Sequence, residues 1–165
     1  MNDTQVATGG GSGAVYGSTS DELLQIVTFR VGNETFGLDI LKVHEIIRFQ
    51  PLTRVPNLPD YVEGVLNLRG KIIPVVSLRR RMGLEGREKD VSTKIVVASV
   101  KSEVLGLVVD SVSEVLRISS STVEPTPRLG EGTHKYVSGV GKLEDRILLL
   151  LDVDELLTDQ KQAVV

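Results

Sequence analysis

The side chains that could carry chemistry are few and scattered. There are two histidines, His44 and His134, and no grouping of His, Asp and Glu has the spacing of a metal site. Cysteine is absent, which removes thiolate nucleophiles, thiolate metal sites and disulfides and fits a reducing compartment. No G-x-S-x-G elbow, P-loop or G-x-G-x-x-G is present. Asp152 and Asp154 could form an acid pair, but Asp152 sits where a final helix should start. With Glu155 three positions on, it reads as an N-cap in a capping box. His44 reads as a surface residue. The expectation is a binding module without catalytic residues, metal or cofactor. One opposite-charge combination stands out: Glu45 and Arg69. A planar guanidinium can grip a carboxylate with two parallel hydrogen bonds, which would hold two strands together beside a binding groove. The alternative is a solvated turn arginine, whose ion pair contributes little.

The elements that must position these groups read as strands. Val27, Phe29 and Val31 alternate with Ile26, Thr28 and Arg30, so a strand is predicted over 26–31. Gly32-Asn33 is a turn signal, and 35–40 is the return strand of a hairpin. One helical turn over 41–43 precedes a strand over 45–49. Pro51, Pro56 and Pro59 punctuate the loop that follows. A second hairpin joins 64–68 to 71–78 through Arg69-Gly70. Pro74 within it predicts an edge or a bulge. A short helix is expected over 78–82. Residues 1–20, rich in Gly, Ser and Thr, are expected to be a disordered tail, and 159–165 should fray.

The second half repeats the first. Between 27–49 and the segment 69 positions on, Val27/Val96, Val31/Val100, Glu34/Glu103, Gly37/Gly106, Leu38/Leu107, Val43/Val112, Glu45/Glu114 and Arg48/Arg117 are identical. Between 61–78 and the segment 75 positions on, Tyr61/Tyr136, Val62/Val137, Gly64/Gly139, Val65/Val140, Leu68/Leu143 and Ile72/Ile147 agree. In this alignment Arg69 falls opposite Glu144, a reversal of charge. A repeat this long suits no solenoid. It predicts two small β-units, about 21–90 and 91–158, too small to fold alone and fused through a common core. The change of offset puts a longer connection between Ile118 and Tyr136, containing Glu124, Pro125, Pro127, Arg128 and Leu129. Such a stiffened loop is either a partner-contact segment or a solvated linker.

The bulk properties agree with a soluble binding domain: 165 residues, 41% hydrophobic, 25% charged. A net charge of −3 gives no basic field for nucleic acid or anionic lipid. Aromatics are only 4%, too sparse for base-stacking platforms. The longest apolar runs are far too short to span a bilayer.

The stretches FGLDILKVHEIIR (36–48), TRVPNLPDYVEGVLNLRGKIIPVVSLRRRMG (53–83), LGLVVDSVSEVLRI (105–118) and YVSGVGKLEDRILLLLDVDELL (136–157) resemble the bacterial chemotaxis coupling protein family, CheW, over about 22–157. NLRG at 67–70 is the most specific of these motifs. The resemblance implies an all-β fold with a few short helices: two intertwined SH3-like five-stranded β-barrels packed on a shared hydrophobic core. It implies a cytoplasmic, non-enzymatic adaptor that links the cytoplasmic tips of methyl-accepting chemotaxis receptors to the regulatory domain of the histidine kinase CheA. Other CheW copies in rings are possible further partners, within membrane-associated arrays. The second reading is a CheW-like fragment of a larger signalling protein, CheV-like or kinase-derived. By the same resemblance Ile40, Val43, Val112 and Val115 line a receptor-binding groove. Glu45, Gly64 and Arg69 serve coupling, and Glu124, Arg128 and Leu129 meet the kinase. Thr93 and Gly106 contact a partner that the resemblance does not identify.

Overall fold

The computed structural model describes residues 22–100, 102–126 and 136–156. The expected tails, 1–20 and 159–165, lie outside them. The elements in chain order are β1 (Leu23–Val31), β2 (Glu34–Asp39), a 3-10 turn (Ile40–Lys42) and β3 (Val43–Arg48). Then come β4 (Val62–Leu68), β5 (Lys71–Ser77), α1 (Leu78–Arg81), β6 (Lys94–Val100), β7 (Glu103–Val109) and β8 (Ser111–Ser119). A second 3-10 turn (Ser120–Thr122) leads to β9 (Val123–Glu124), β10 (Val137–Lys142) and β11 (Ile147–Leu151).

Two sheets form. The first runs β9-β10-β11-β2-β1-β8 and the second β3-β6-β7-β5-β4. Each contains five repeat-equivalent strands, making two SH3-like units, and β9 adds a two-residue edge strand to the first. The repeat is visible in the ladders. Gly37 lies opposite Leu150 in the parallel pair β2–β11, and its twin Gly106 lies opposite Val75 in β7–β5. The registers slip at matching places, past His44 in β3 and Ser113 in β8, and past Glu63 in β4 and Ser138 in β10. The hairpin of each repeat has joined the sheet of the other: β1–β2 sit among β8, β10 and β11, whereas β6–β7 sit among β3, β4 and β5. Position 90/91 therefore divides the sequence but not the sheets.

This exchange explains the long apolar runs in β6, β7 and β11. A strand in such a unit is covered on both faces, so it reads as continuous Val, Ile and Leu rather than as alternation. In β6, Ile95 and Val97 point into the interior of the second barrel with Leu66, Ile73, Val75 and Val108. Val96 and Ala98 point the other way, into a cluster that also holds Phe29, Phe36 and Leu38 of the first sheet and Leu105 and Leu107 of β7. That cluster is the core the two barrels share. A third group, Ile26, Ile118 and Leu148, fills the first barrel.

Pro74 departs from the expectation of an edge or a bulge. It lies in β5, which has a neighbour on each side, and the bulge in that hairpin is at Glu63. The proline is accommodated because the parallel ladder to β7 begins only at Val75.

A candidate interaction site at the barrel seams and their junction

Glu45 stands on β3 and Arg69 in the turn between β4 and β5. These strands are the two ends of the second sheet, so a contact between them closes the barrel seam. The contact is bidentate: Arg69 Nη1 donates to Glu45 Oε2, and Nη2 donates to Oε1 at 2.8 Å. The turn is built to present the arginine. Arg69 and Gly70 both have positive φ (54° and 87°), a tight left-handed bend, and Asn67 Oδ1 accepts the Gly70 N–H at 2.9 Å. The Arg69 guanidinium holds the Glu45 carboxyl below its usual range, and Glu45 in turn raises Arg69. The seam closes at a second point, where Thr53 and Val65 exchange backbone hydrogen bonds of 3.0 and 2.9 Å. Gly64 makes this possible. A Cβ there would stand 2.5 Å from the Thr53 carbonyl oxygen.

The first barrel carries an equivalent latch that the sequence reading did not identify. Glu114, the twin of Glu45, accepts from Arg146 Nη2 at 2.9 Å. Thr28 steadies Glu114 by bonding both its backbone carbonyl (2.9 Å) and its N–H (3.2 Å), which the bulge at Ser113 leaves free. The repeat alignment had set Arg69 against Glu144. The working cation is two residues later, opposite Lys71. A search for any basic residue within two places of the second hairpin tip would have found it.

At the junction of the barrels, the Ile40–Lys42 turn packs against β1 of one sheet and β6 of the other. Val43 and its twin Val112 both pack on the shared core. Val115 is 51% exposed on the edge strand β8, and its twin Ile46 is exposed on the edge strand β3. The structure thus brings Ile40, Val43 and Val112 to the junction and leaves Val115 on the flank. Thr93 and Gly106 are buried. Thr93 Oγ1 accepts the Asp90 N–H at 2.9 Å, and Gly106 is walled by Ile95 and Val75. Any effect of Gly106 on a partner must pass through the backbone it supports, whereas Thr93 stands at the wall of a polar cleft. Glu124 is exposed and pairs with Lys142 at 2.7 Å. Arg128 and Leu129 lie outside the described residues, as does His134.

A polar cleft of about 700 Å3 lies on the second barrel between 54–63, α1 and 86–89. Its charges are largely spoken for. Asp110 takes Arg79 at 2.7 Å and Arg87 at 3.1 Å, and Lys89 pairs with Glu63 at 3.0 Å. Among the described residues no group of three His, Cys, Asp or Glu could hold a metal ion, and no helix is long and apolar enough to cross a membrane. His44 is exposed at its bulge. Asp152 Oδ1 accepts the Glu155 N–H at 3.2 Å, as its N-cap assignment requires.

The family model of the CheW-like domain matches residues 25–161. The chemotaxis protein CheW of Klebsiella aerogenes is 38% identical over 142 residues, 86% of each protein. That of Rhizobium meliloti is 37% identical over 84% of this chain and 90% of its own. The crystal structure of the scaffolding protein TtCheW from Thermoanaerobacter tengcongensis superposes with a TM-score of 0.75 at 35% identity, covering 79% of this chain and 89% of that one. With the exchanged hairpins, the shared core and the NLRG turn in place, the chain belongs to the CheW-like domain family.

Proposed function

We propose that the protein is a chemotaxis scaffold that joins the cytoplasmic tips of methyl-accepting receptors to the regulatory domain of the histidine kinase CheA, without catalysing a reaction itself. The observation that supports this reading is the junction between the barrels, where the Ile40–Lys42 turn touches both sheets and Val43 and Val112 pack on the shared core. An amphipathic receptor helix can lay apolar side chains against such a surface. The kinase is met elsewhere, through the segment holding Glu124, Arg128 and Leu129. Two separate faces on one body let a single molecule link two partners, and repeated weak links gain avidity in an array. The protein then works in the cytoplasm at receptor-bearing membranes, and further copies of itself can join the array. The coverage of 86% and 90% of two CheW relatives supports this reading.

Val43→Asp and Val112→Asp test it by putting a charge on the apolar junction. In co-sedimentation with receptor-containing membranes, each folded variant should lose roughly tenfold in affinity, about 1.4 kcal/mol. Binding of the kinase regulatory domain should stay within about twofold. Equal loss of both partners in a folded variant would refute the separation of faces.

A further inference from the structure

Arg81, the last residue of α1, reaches between the two barrels. Its guanidinium Cζ stands 3.8 Å from the ring centroid of Tyr61 and 4.7 Å from that of Tyr136. The tyrosines are repeat twins. Tyr61 precedes β4 of the second sheet and its carbonyl accepts the Ser77 N–H at 2.6 Å; Tyr136 precedes β10 of the first and its carbonyl accepts the Asp152 N–H at 2.7 Å. Both rings pack on the shared core. The matching helical turn at 153–156 places Leu156 at the position equivalent to Arg81, and Leu156 is buried in that same core. One of two equivalent positions has thus filled with an aliphatic chain, and the other with a cation held over an aromatic ring from each barrel. The Nε and Nη2 atoms of Arg81 are shielded from solvent, where attraction between a cation and a ring face is strongest.

We infer that Arg81 is a positioning residue: it clamps the two barrels at one angle through Tyr61 and Tyr136, and so sets the separation of the junction walls Val43 and Val112. Apolar packing in the shared core is non-directional and would tolerate some rocking of one barrel on the other. A cation held over two ring faces is attracted only while it stays within about 6 Å of each centroid, and rocking must move it away from one of them. The consequence for binding rests on the receptor-junction reading above; the mechanical claim does not.

The chain has no cysteine, so spin labels can be placed cleanly at Asn33→Cys and Ser102→Cys. These are exposed twin positions in the β1–β2 and β6–β7 turns, one on each barrel. Double electron–electron resonance on the full chain then reads the angle between barrels. Arg81→Leu should broaden the distance distribution about twofold, with Arg81→Lys intermediate, because an ammonium keeps the charge but not the planar stack. Tyr136→Leu, which removes the ring contributed by the other barrel, should broaden it as Arg81→Leu does and covers the case that Arg81→Leu fails to fold. Unchanged width in whichever of the two folds overturns the clamp. In co-sedimentation, the broadened variants should bind receptor membranes roughly tenfold more weakly, since a wall that must first be ordered costs affinity. The kinase regulatory domain should bind within about twofold of the parent. Equal loss of both partners overturns the positioning role. If the unsubstituted chain itself fails to bind receptor membranes, the receptor reading falls, and the resonance widths alone decide the clamp.

Discussion

At the residue scale, Glu45 and Arg69 form a cooperative unit and their substitution should show it. The pair closes a seam between terminal strands that have no ladder between them apart from the Thr53–Val65 bridge. Arg69→Ala should fold yet lose much of its kinase coupling, and Arg69→Lys should recover part of it. The charge swap Glu45→Arg with Arg69→Glu should do better than either single variant, giving a nonzero coupling energy in a double-mutant cycle. Additive single effects would leave Arg69 as a direct contact. The pair also has a pH signature. Hydrogen bonding to Arg69 lowers the Glu45 pKa in the folded state. Its stabilisation is therefore full above the unfolded carboxyl value and is lost as pH falls through the folded one. Urea titrations between pH 7 and 3 should show a steeper acid loss in the parent chain than in Arg69→Ala.

At the element scale, two glycines stand where a Cβ would crowd a neighbour, one against side chains and one against backbone. A Cβ on Gly106 would stand 2.8 Å from Ile95 Cγ2 and 3.3 Å from Val75, both side-chain atoms that can shift. Gly106→Ala should cost about 1–3 kcal/mol, as modest overpacking does. On Gly64 the obstacle is the Thr53 carbonyl oxygen at 2.5 Å, which belongs to the bridge closing the barrel. Gly64→Ala must break that bridge or move the strand, and should cost about 3 kcal/mol or more. Denaturant midpoints would rank the two, and Gly64→Ala should also weaken coupling because the seam beside Arg69 opens. A Gly106→Ala more damaging than Gly64→Ala would contradict this account of the seam.

At the scale of the whole molecule, the exchanged hairpins make the two halves mutually dependent. The first sheet needs β1 and β2 from the first half of the chain and β8, β10 and β11 from the second; the second sheet needs the converse. Neither 1–90 nor 91–165 holds a complete sheet, and each would expose the shared core. Expressed alone, each fragment should lack the circular dichroism of the native protein and aggregate. Expressed together, they should form a folded one-to-one complex, since no strand is cut. A half that folds as a monomer would show that a barrel can complete itself within one repeat.

The sequence by itself determined the strands, their turns and the internal repeat, because alternation, glycine and proline positions act over a few residues and leave a local trace. It also pointed to Glu45–Arg69, since both lie in well-marked elements and carry opposite charge. Which hairpin joins which sheet was decided only by tertiary structure. Strands buried on both faces carry no alternation that would mark one face for a particular neighbour. The cation for Glu114 was hidden for a related reason. An alignment pairs positions, whereas an ion pair needs only that a long side chain reach, and Arg146 reaches from two residues beyond the twin of Arg69. The Arg81 stack joins three residues remote in sequence, and nothing local to RRR at 79–81 distinguishes its last arginine until two barrels close around it.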